Sequence, residues 1–157
     1  MIRLSQMADY AVVLAGALAE RSGEQMNAAS LAAATGVPQP TVAKLLSALA
    51  RAGILVSRRG VGGGFALARR PDAITLRAVI EAADGPIALV SCLGGPGDNC
   101  GIEDLCGMRP HWMLINRTLA EALDSITLAD LAHAGGGFGA REDGRAMAAS
   151  GMTETRG

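Results

Sequence analysis

Apolar residues recur at helical spacing over Met7, Ala11, Leu14 and Leu18, which predicts a helix from about Ser5 to Glu20 that stops at Arg21-Ser22-Gly23. A short second helix follows from Ser30 to Thr35, with Asn27 or Ser30 as its cap and Gly36 closing it. Val37-Pro38-Gln39-Pro40 opens a third, because proline is tolerated only in a first helical turn. Its apolar face is Val42, Leu45, Leu46 and Leu49, and it ends at Ala52-Gly53. The pattern then changes. Ile54-Leu55-Val56-Ser57 and Phe65-Ala66-Leu67-Ala68 are short apolar runs around a basic, glycine-rich stretch, which reads as a β-hairpin. A fourth helix is expected from Thr75 to Ala83, with Asp72 or Thr75 near its start, and Gly85 to Gly107 reads as loop. Pro110 begins a last long helix striped by Trp112, Ile115, Leu119, Ala122 and Ile126, and Thr127-Leu128 leads a stub helix to about Ala134. Residues 135–157 carry few large apolar side chains and are expected to be disordered.

The fold class is therefore mainly α with a small β-hairpin. Expected divisions are a first unit over 1–84, a cysteine-bearing loop over 85–108, the long helix and stub over 109–134, and the tail. Half of the 157 residues are apolar but only 3% are aromatic, so the core must be assembled from Ala, Leu, Ile, Val and Met. No stretch of about eighteen apolar residues exists to cross a membrane. Asp9 interrupts the region where an export signal would be apolar, so a cytoplasmic location is expected.

Charge changes the picture through its placement. The net charge is −1, but residues 25–71 hold Lys44, Arg51, Arg58, Arg59, Arg69 and Arg70 and not one acid. A surface that approaches phosphates needs such a window, since every carboxylate there would repel the nucleic-acid backbone. Helix, short helix, turn, helix and basic hairpin, in that order, form a winged helix–turn–helix. In such a unit the second helix of the pair presents its N-terminal residues to base edges in the major groove. Here these are Gln39, Pro40, Thr41 and Lys44. Gln39 suits adenine, Thr41 a thymine methyl or a hydrogen bond, and Lys44 a guanine or phosphate. Ala43 offers no polar group and removes one reading position. Arg58 and Arg59 begin the hairpin loop, where a guanidinium fits a narrow minor groove, and Gly62 and Gly63 permit close backbone approach. Arg69 and Arg70 flank a strand end and read as partners for nearby acids. One such unit covers one half-site, so an inverted repeat calls for a homodimer, with the Trp112–Ile126 stripe as its seam.

Cys92, Cys100 and Cys106 lie within 15 residues of a glycine-rich loop. An odd number of cysteines argues against a disulfide framework. Their separations exceed those usual for a zinc ligand pair and fit no thioredoxin-like motif. Wider spacing suits a larger object such as an iron–sulfur cluster, whose sulfides accept backbone N–H groups. Three unrelated thiols are the competing reading.

On these residues the chain resembles the IscR/NsrR family of iron–sulfur winged-helix regulators. The resemblance is carried by Arg3-Leu4-Ser5, Asp9-Tyr10-Ala11-Val12, the stretch Val42 to Leu55, Arg59 to Leu67, the three cysteines and Ile126 to Leu131. Asp9-Tyr10, Gly85 to Leu89 and Cys106 to Trp112 are similar to the branch that regulates SUF-type iron–sulfur assembly genes. The resemblance implies a non-enzymatic, homodimeric DNA-binding repressor or other regulator, with no small-molecule substrate and no membrane partner. It implies a cluster on Cys92, Cys100 and Cys106, 2Fe–2S favoured over 4Fe–4S, and a minor-groove role for Arg59. Family members that use a histidine ligand have it three residues past the last cysteine, where this chain has Arg109, and His111 stands two further on. Others take a carboxylate from the partner subunit's N-terminal segment, a position that Asp9 matches; Asp9 is preferred to His111. A zinc-bound, thiol-redox or nitric-oxide-responsive repressor is the alternative. A small thiol or iron–sulfur enzyme that uses the winged helix for protein docking is a more distant one.

Overall fold

The computed structural model describes residues 3–94, 100–101 and 106–134. The expected disordered tail lies outside these residues, as does part of the cysteine loop. Among the described residues are α1 (Gln6–Glu20), α2 (Ala28–Thr35), α3 (Gln39–Arg51), β1 (Leu55–Arg58), β2 (Gly64–Leu67), α4 (Leu76–Asp84), α5 (Arg109–Asp124) and α6 (Leu128–Ala134). The class is the one the sequence pattern predicts: helices with one small antiparallel hairpin.

Caps explain most of the boundaries. Ser5 accepts from the Ala8 N–H at 3.0 Å, Asn27 from the Ser30 N–H at 2.8 Å and Thr75 from the Ala78 N–H at 3.2 Å, each satisfying an otherwise orphaned donor. Asn27, rather than Ser30, is thus the cap of α2, and the helix begins at Ala28. Gly36 ends α2 at φ 75°, a left-handed conformation that turns the chain toward α3. Buried Val37 pins that turn. In α3 the face carrying Val42, Leu45, Leu46 and Leu49 is buried, as the spacing requires.

α1 is the hub. It packs against α2, α3, α4, α6 and β2. Its buried residues are Leu14 and Leu18 with Ala8, Ala11, Ala15, Gly16, Ala17 and Ala19, so neighbours approach its backbone closely on several sides. Ile54, Leu55, Ile74, Val79 and Leu128 complete the core.

Two features depart from the linear pattern. The long helix ends at Asp124, leaving Ile126 outside it. The reason is a long-range bridge: the Leu76 N–H donates to the Ile126 carbonyl at 2.8 Å and the Leu128 N–H to the Ile74 carbonyl at 3.0 Å, pairing Thr75 with Thr127. The stub helix α6 then returns to pack on α1, with Leu128 fully buried. The second departure lies in the hairpin. β1 and β2 pair from Leu55↔Leu67 to Arg58↔Gly64, and Met26 adds a third segment on the other edge of β2 by exchanging two hydrogen bonds with Phe65 at 2.8 and 3.0 Å.

Leu46 is fully buried at the junction of α3 with the core. Leu46→Ala is expected to lower unfolding free energy by about 3 kcal/mol, read by urea titration. α6 carries a pH-sensitive cap: the Asp130 carboxylate accepts from the Thr127 hydroxyl at 2.7 Å and its N–H at 2.8 Å, which together hold its pKa below the ordinary value. A lowered folded-state value means that this cap contributes above the ordinary carboxylate range and is lost as pH falls through the lowered value. Melting curves of wild type and Asp130→Asn should differ at neutral pH and converge in acid.

Candidate nucleic-acid interface and cysteine loop

The reading helix begins without a side-chain cap: Pro38 precedes it, and its carbonyl accepts from the Thr41 and Val42 N–H groups at 2.9 and 3.0 Å. Gln39, Pro40 and Lys44 are exposed and Thr41 is half-buried, while the same helix buries its leucines. The sequence pattern thus separates a core face from an open N-terminal face.

Arg58 closes β1 and Arg59 opens the loop; both are exposed, and among the described residues neither joins an ion pair, nor does Lys44. Arg70, by contrast, is bound to Asp72 at 2.6 Å, as its proximity to an acid suggested. Arg69, expected like Arg70 to partner an acid, joins no ion pair among the described residues, so the wing's unpaired cations are Arg58 at the end of β1, Arg59 in the loop and Arg69 after β2. Between Arg59 and β2 the backbone turns through Gly60 at φ 108° and Gly62 at φ 79°, and the Gly63 N–H donates to the Gly60 carbonyl at 2.9 Å. Val61 projects wholly into solvent at the tip, a residue that periodicity does not single out because it sits between turn glycines.

The glycine run has internal causes as well. A Cβ on Gly63 would strike the Arg58 carbonyl oxygen, and one on Gly64 would come within 2.7 Å of the Met26 carbonyl oxygen. Gly62 faces open space. Close approach at Gly64 is what allows the Met26–Phe65 rung, which ties the wing to the segment leading into α2. An open groove of about 640 Å³ lies along this seam, lined by Arg21, Asn27, Ser30, Gly62 and Gly63 among others.

On the loop between α4 and α5, Cys92 sits in a short 3₁₀ turn, Ser91–Leu93, and Cys106 lies just before α5. Cys92, Cys100 and Cys106 are half-buried and in no disulfide. Asp9 and His111 are both exposed, on the first turns of α1 and α5. Asp9 borders an open groove with Arg3, Gln6 and Asp84. Among the described residues no three His, Cys, Asp or Glu side chains converge as they would around one metal ion.

The expected seam residues divide between two surroundings. On α5, Trp112 and Leu119 are half-buried, and Ile115 and Ala122 are exposed. Met113 and Leu114 add to the open apolar surface at 54% exposure each, and only Ala120 of this helix is buried. Ile126, beyond the helix, is half-buried.

A helix–turn–helix whose second helix is followed by a basic wing defines a DNA-binding transcription regulator. The chain belongs to the Rrf2 family, iron-dependent transcriptional regulators, whose pattern it matches over residues 4–134. It is 30% identical over 133 residues to the HTH-type transcriptional regulator NsrR of Geobacillus kaustophilus, across 83% of this chain and 89% of that one. Among solved structures it is similar to CymR, the global cysteine regulator of B. subtilis, with TM-score 0.67 and 31% identity over 86% of this chain and 99% of that one. IscR of T. potens matches with TM-score 0.64 and 27% identity, over 85% and 88%. No helix among the described residues is long and apolar enough to cross a membrane.

Gly64→Ala should force the Met26 segment off the wing. The expected cost is roughly 1–3 kcal/mol of stability, read by urea unfolding, together with weaker duplex binding.

Proposed function

We propose that this Rrf2-family regulator is a cytoplasmic homodimer that reads an inverted-repeat promoter site and reports iron–sulfur status to SUF-type assembly genes. The observation that carries the reading is the set of three reduced, half-buried thiols on the loop joining the DNA-reading unit to α5. Their donor chemistry fits an iron–sulfur cluster, since soft thiolates are its usual ligands. Cys92, Cys100 and Cys106 would hold it, with Asp9 of the second subunit in preference to His111 as the non-sulfur ligand. A bound cluster supplies a redox- and oxidant-labile centre, the more so when an oxygen ligand replaces a thiolate.

The chain's own residues perform the reading. Gln39, Thr41 and Lys44 meet base edges and phosphates, Arg59 enters the minor groove, and Arg58 neutralises the flanking backbone. Pro40 fixes the helix entry, and Gly62 and Gly63 shape the loop. On α5, the exposed Ile115, Met113 and Leu114 supply apolar surface that a second copy would cover, continuous with Trp112, Leu119 and Ala122. A twofold arrangement of this helix places two reading units on one duplex.

The test is anaerobic purification with iron and sulfide analysis and visible spectra, followed by mobility shifts on the protein's own upstream DNA at fixed salt. Iron and sulfide at full loading, lost in Cys100→Ala with altered duplex affinity, is the expected result. A colourless protein with full zinc and unchanged binding in that variant would overturn it. A second reading, a thiol-responsive regulator, draws support from the similarity to the cysteine regulator of B. subtilis. It predicts that oxidant changes duplex affinity in metal-free protein.

Arg59→Ala should weaken specific binding by about 1–3 kcal/mol and flatten sequence preference beside the half-site, measured by titration against variant duplexes. Ile115→Asp should shift the protein to monomer in sedimentation experiments while leaving its helical content intact.

A further inference from the structure

The arm that leads from α4 to Cys92 is gripped from both sides. From α5, Asn116 Nδ2 donates to the Ile87 carbonyl at 2.9 Å, and its Oδ1 accepts from the Leu89 N–H at 3.0 Å. Only one orientation of the amide satisfies both partners, so they fix which atom is nitrogen. A side-chain amide that spans one carbonyl and the N–H two residues on takes the place of a neighbouring strand residue and fixes the arm at Ile87 and Leu89. From α4, Glu81 Oε1 accepts from the Ile87 N–H at 3.4 Å and from Arg77 Nε at 3.1 Å. Arg77 Nη1 in turn reaches Asp124 at 3.4 Å, and the Thr75 hydroxyl donates to the same carboxylate at 2.9 Å. These side chains close a circuit from α4 through the arm to α5 and back.

Asn116 is half-buried on a helix whose neighbouring positions Met113, Leu114 and Ile115 are exposed. Asparagine is a weak helix former that competes for backbone hydrogen bonds, so a mid-helix position needs another cause. Here the cause is the arm.

We propose that Asn116 is a positioning residue that clamps the arm, and with it Cys92 three residues past Leu89, onto α5. Rearrangement at the cysteine loop is then transmitted to α5 as a pull on this amide, and loss of the clamp uncouples the two. The clamp itself is independent of the cluster. Its regulatory use rests on the proposed iron–sulfur reading.

The experiment uses the full chain, metal-free and reduced, and measures iodoacetamide modification of Cys92 by peptide mass spectrometry with Cys106 as internal reference. Asn116→Ala removes both hydrogen bonds. It is expected to raise the Cys92 rate about tenfold relative to Cys106, since each bond of this kind holds the closed state by a few-fold. Asn116→Asp preserves size and the acceptor for Leu89 but turns an oxygen toward the Ile87 carbonyl, and should also raise the rate. Arg117→Ala, which removes only an exposed pair with Glu121, should leave it unchanged. Equal Cys92 rates in wild type and both Asn116 variants would overturn the clamp. So would parallel rises at Cys92 and Cys106, the mark of general loosening. With anaerobically iron-loaded protein, the ratio of loaded to metal-free duplex affinity should approach one in Asn116→Ala. A wild-type ratio already at one would overturn the iron–sulfur reading, while the modification rates would still decide the clamp.

Discussion

Everything in this chain is arranged around how little space α1 occupies. A helix that buries alanine at positions 8, 11, 15, 17 and 19 lets α2, α3, α4 and α6 approach its backbone on several sides. In a protein with 3% aromatic residues, close approach is the way to reach interior packing density, because large rings are few and those of Tyr10 and Phe65 are only partly buried against the core. The leucines that fill the remaining space come from α1, α2 and α3, with Leu128 arriving from the far end of the chain. The reading helix and the helix that follows α5 are therefore fixed to the same hub.

That shared anchorage constrains α5. Its C-terminal end is tied down by the Thr75–Thr127 bridge and by α6 on α1. Its N-terminal end follows directly from Cys106, and most of its length is solvent-facing. A helix fixed at its C-terminal end, bonded to the arm at Asn116 and joined beyond that to the loop of thiols is placed to link that loop to the core. The polar contacts of Arg77 with Glu81 and Asp124, which hold its guanidinium charged, set the fixed end against α4.

Elements whose boundaries are written in local chemistry were legible from the sequence. Ser5, Gly36 and Thr75 are cap residues at the ends of periodic runs, and the helices begin and end beside them. Long-range pairing was not legible. Nothing in the vicinity of Met26 announces that it will pair with Phe65, because a single rung leaves no alternating pattern to detect. The stripe through Ile126 continues with helical spacing past the true helix end, since the interaction that breaks the helix comes from Ile74 and Leu76, some fifty residues earlier. The glycines of the wing show the same limit. Their run reads as permitting close backbone approach to phosphates, yet Gly63 and Gly64 are required by the chain's own carbonyls. The sign of Asn116 was present but faint: one amide inside an apolar stripe, whose partners lie in the arm ahead of the cysteines.

The electrostatic division follows the mechanical one. Acids are absent from residues 25–71, and among the described residues Lys44, Arg58 and Arg59 face solvent without a carboxylate partner. Acids return from Asp72 onward, and there they bind arginines in the chain itself: Asp72 with Arg70, Glu81 and Asp124 with Arg77. The first group is the one proposed above to meet phosphates; in the second, Arg77 ties α4 to α5 through Asp124. A reader of this design gains affinity from charges it does not neutralise internally, whereas its control elements must neutralise theirs in order to hold position. On the proposed reading, a signal from the cysteine loop is carried through α4 and α5, where paired charges and the Asn116 amide fix geometry, and leaves the unpaired cations of α3 and the wing unaltered. Control of that kind, in the homodimer proposed above, acts on where two reading units stand relative to one another, and so on specific sites more than on the sequence-independent attraction to DNA.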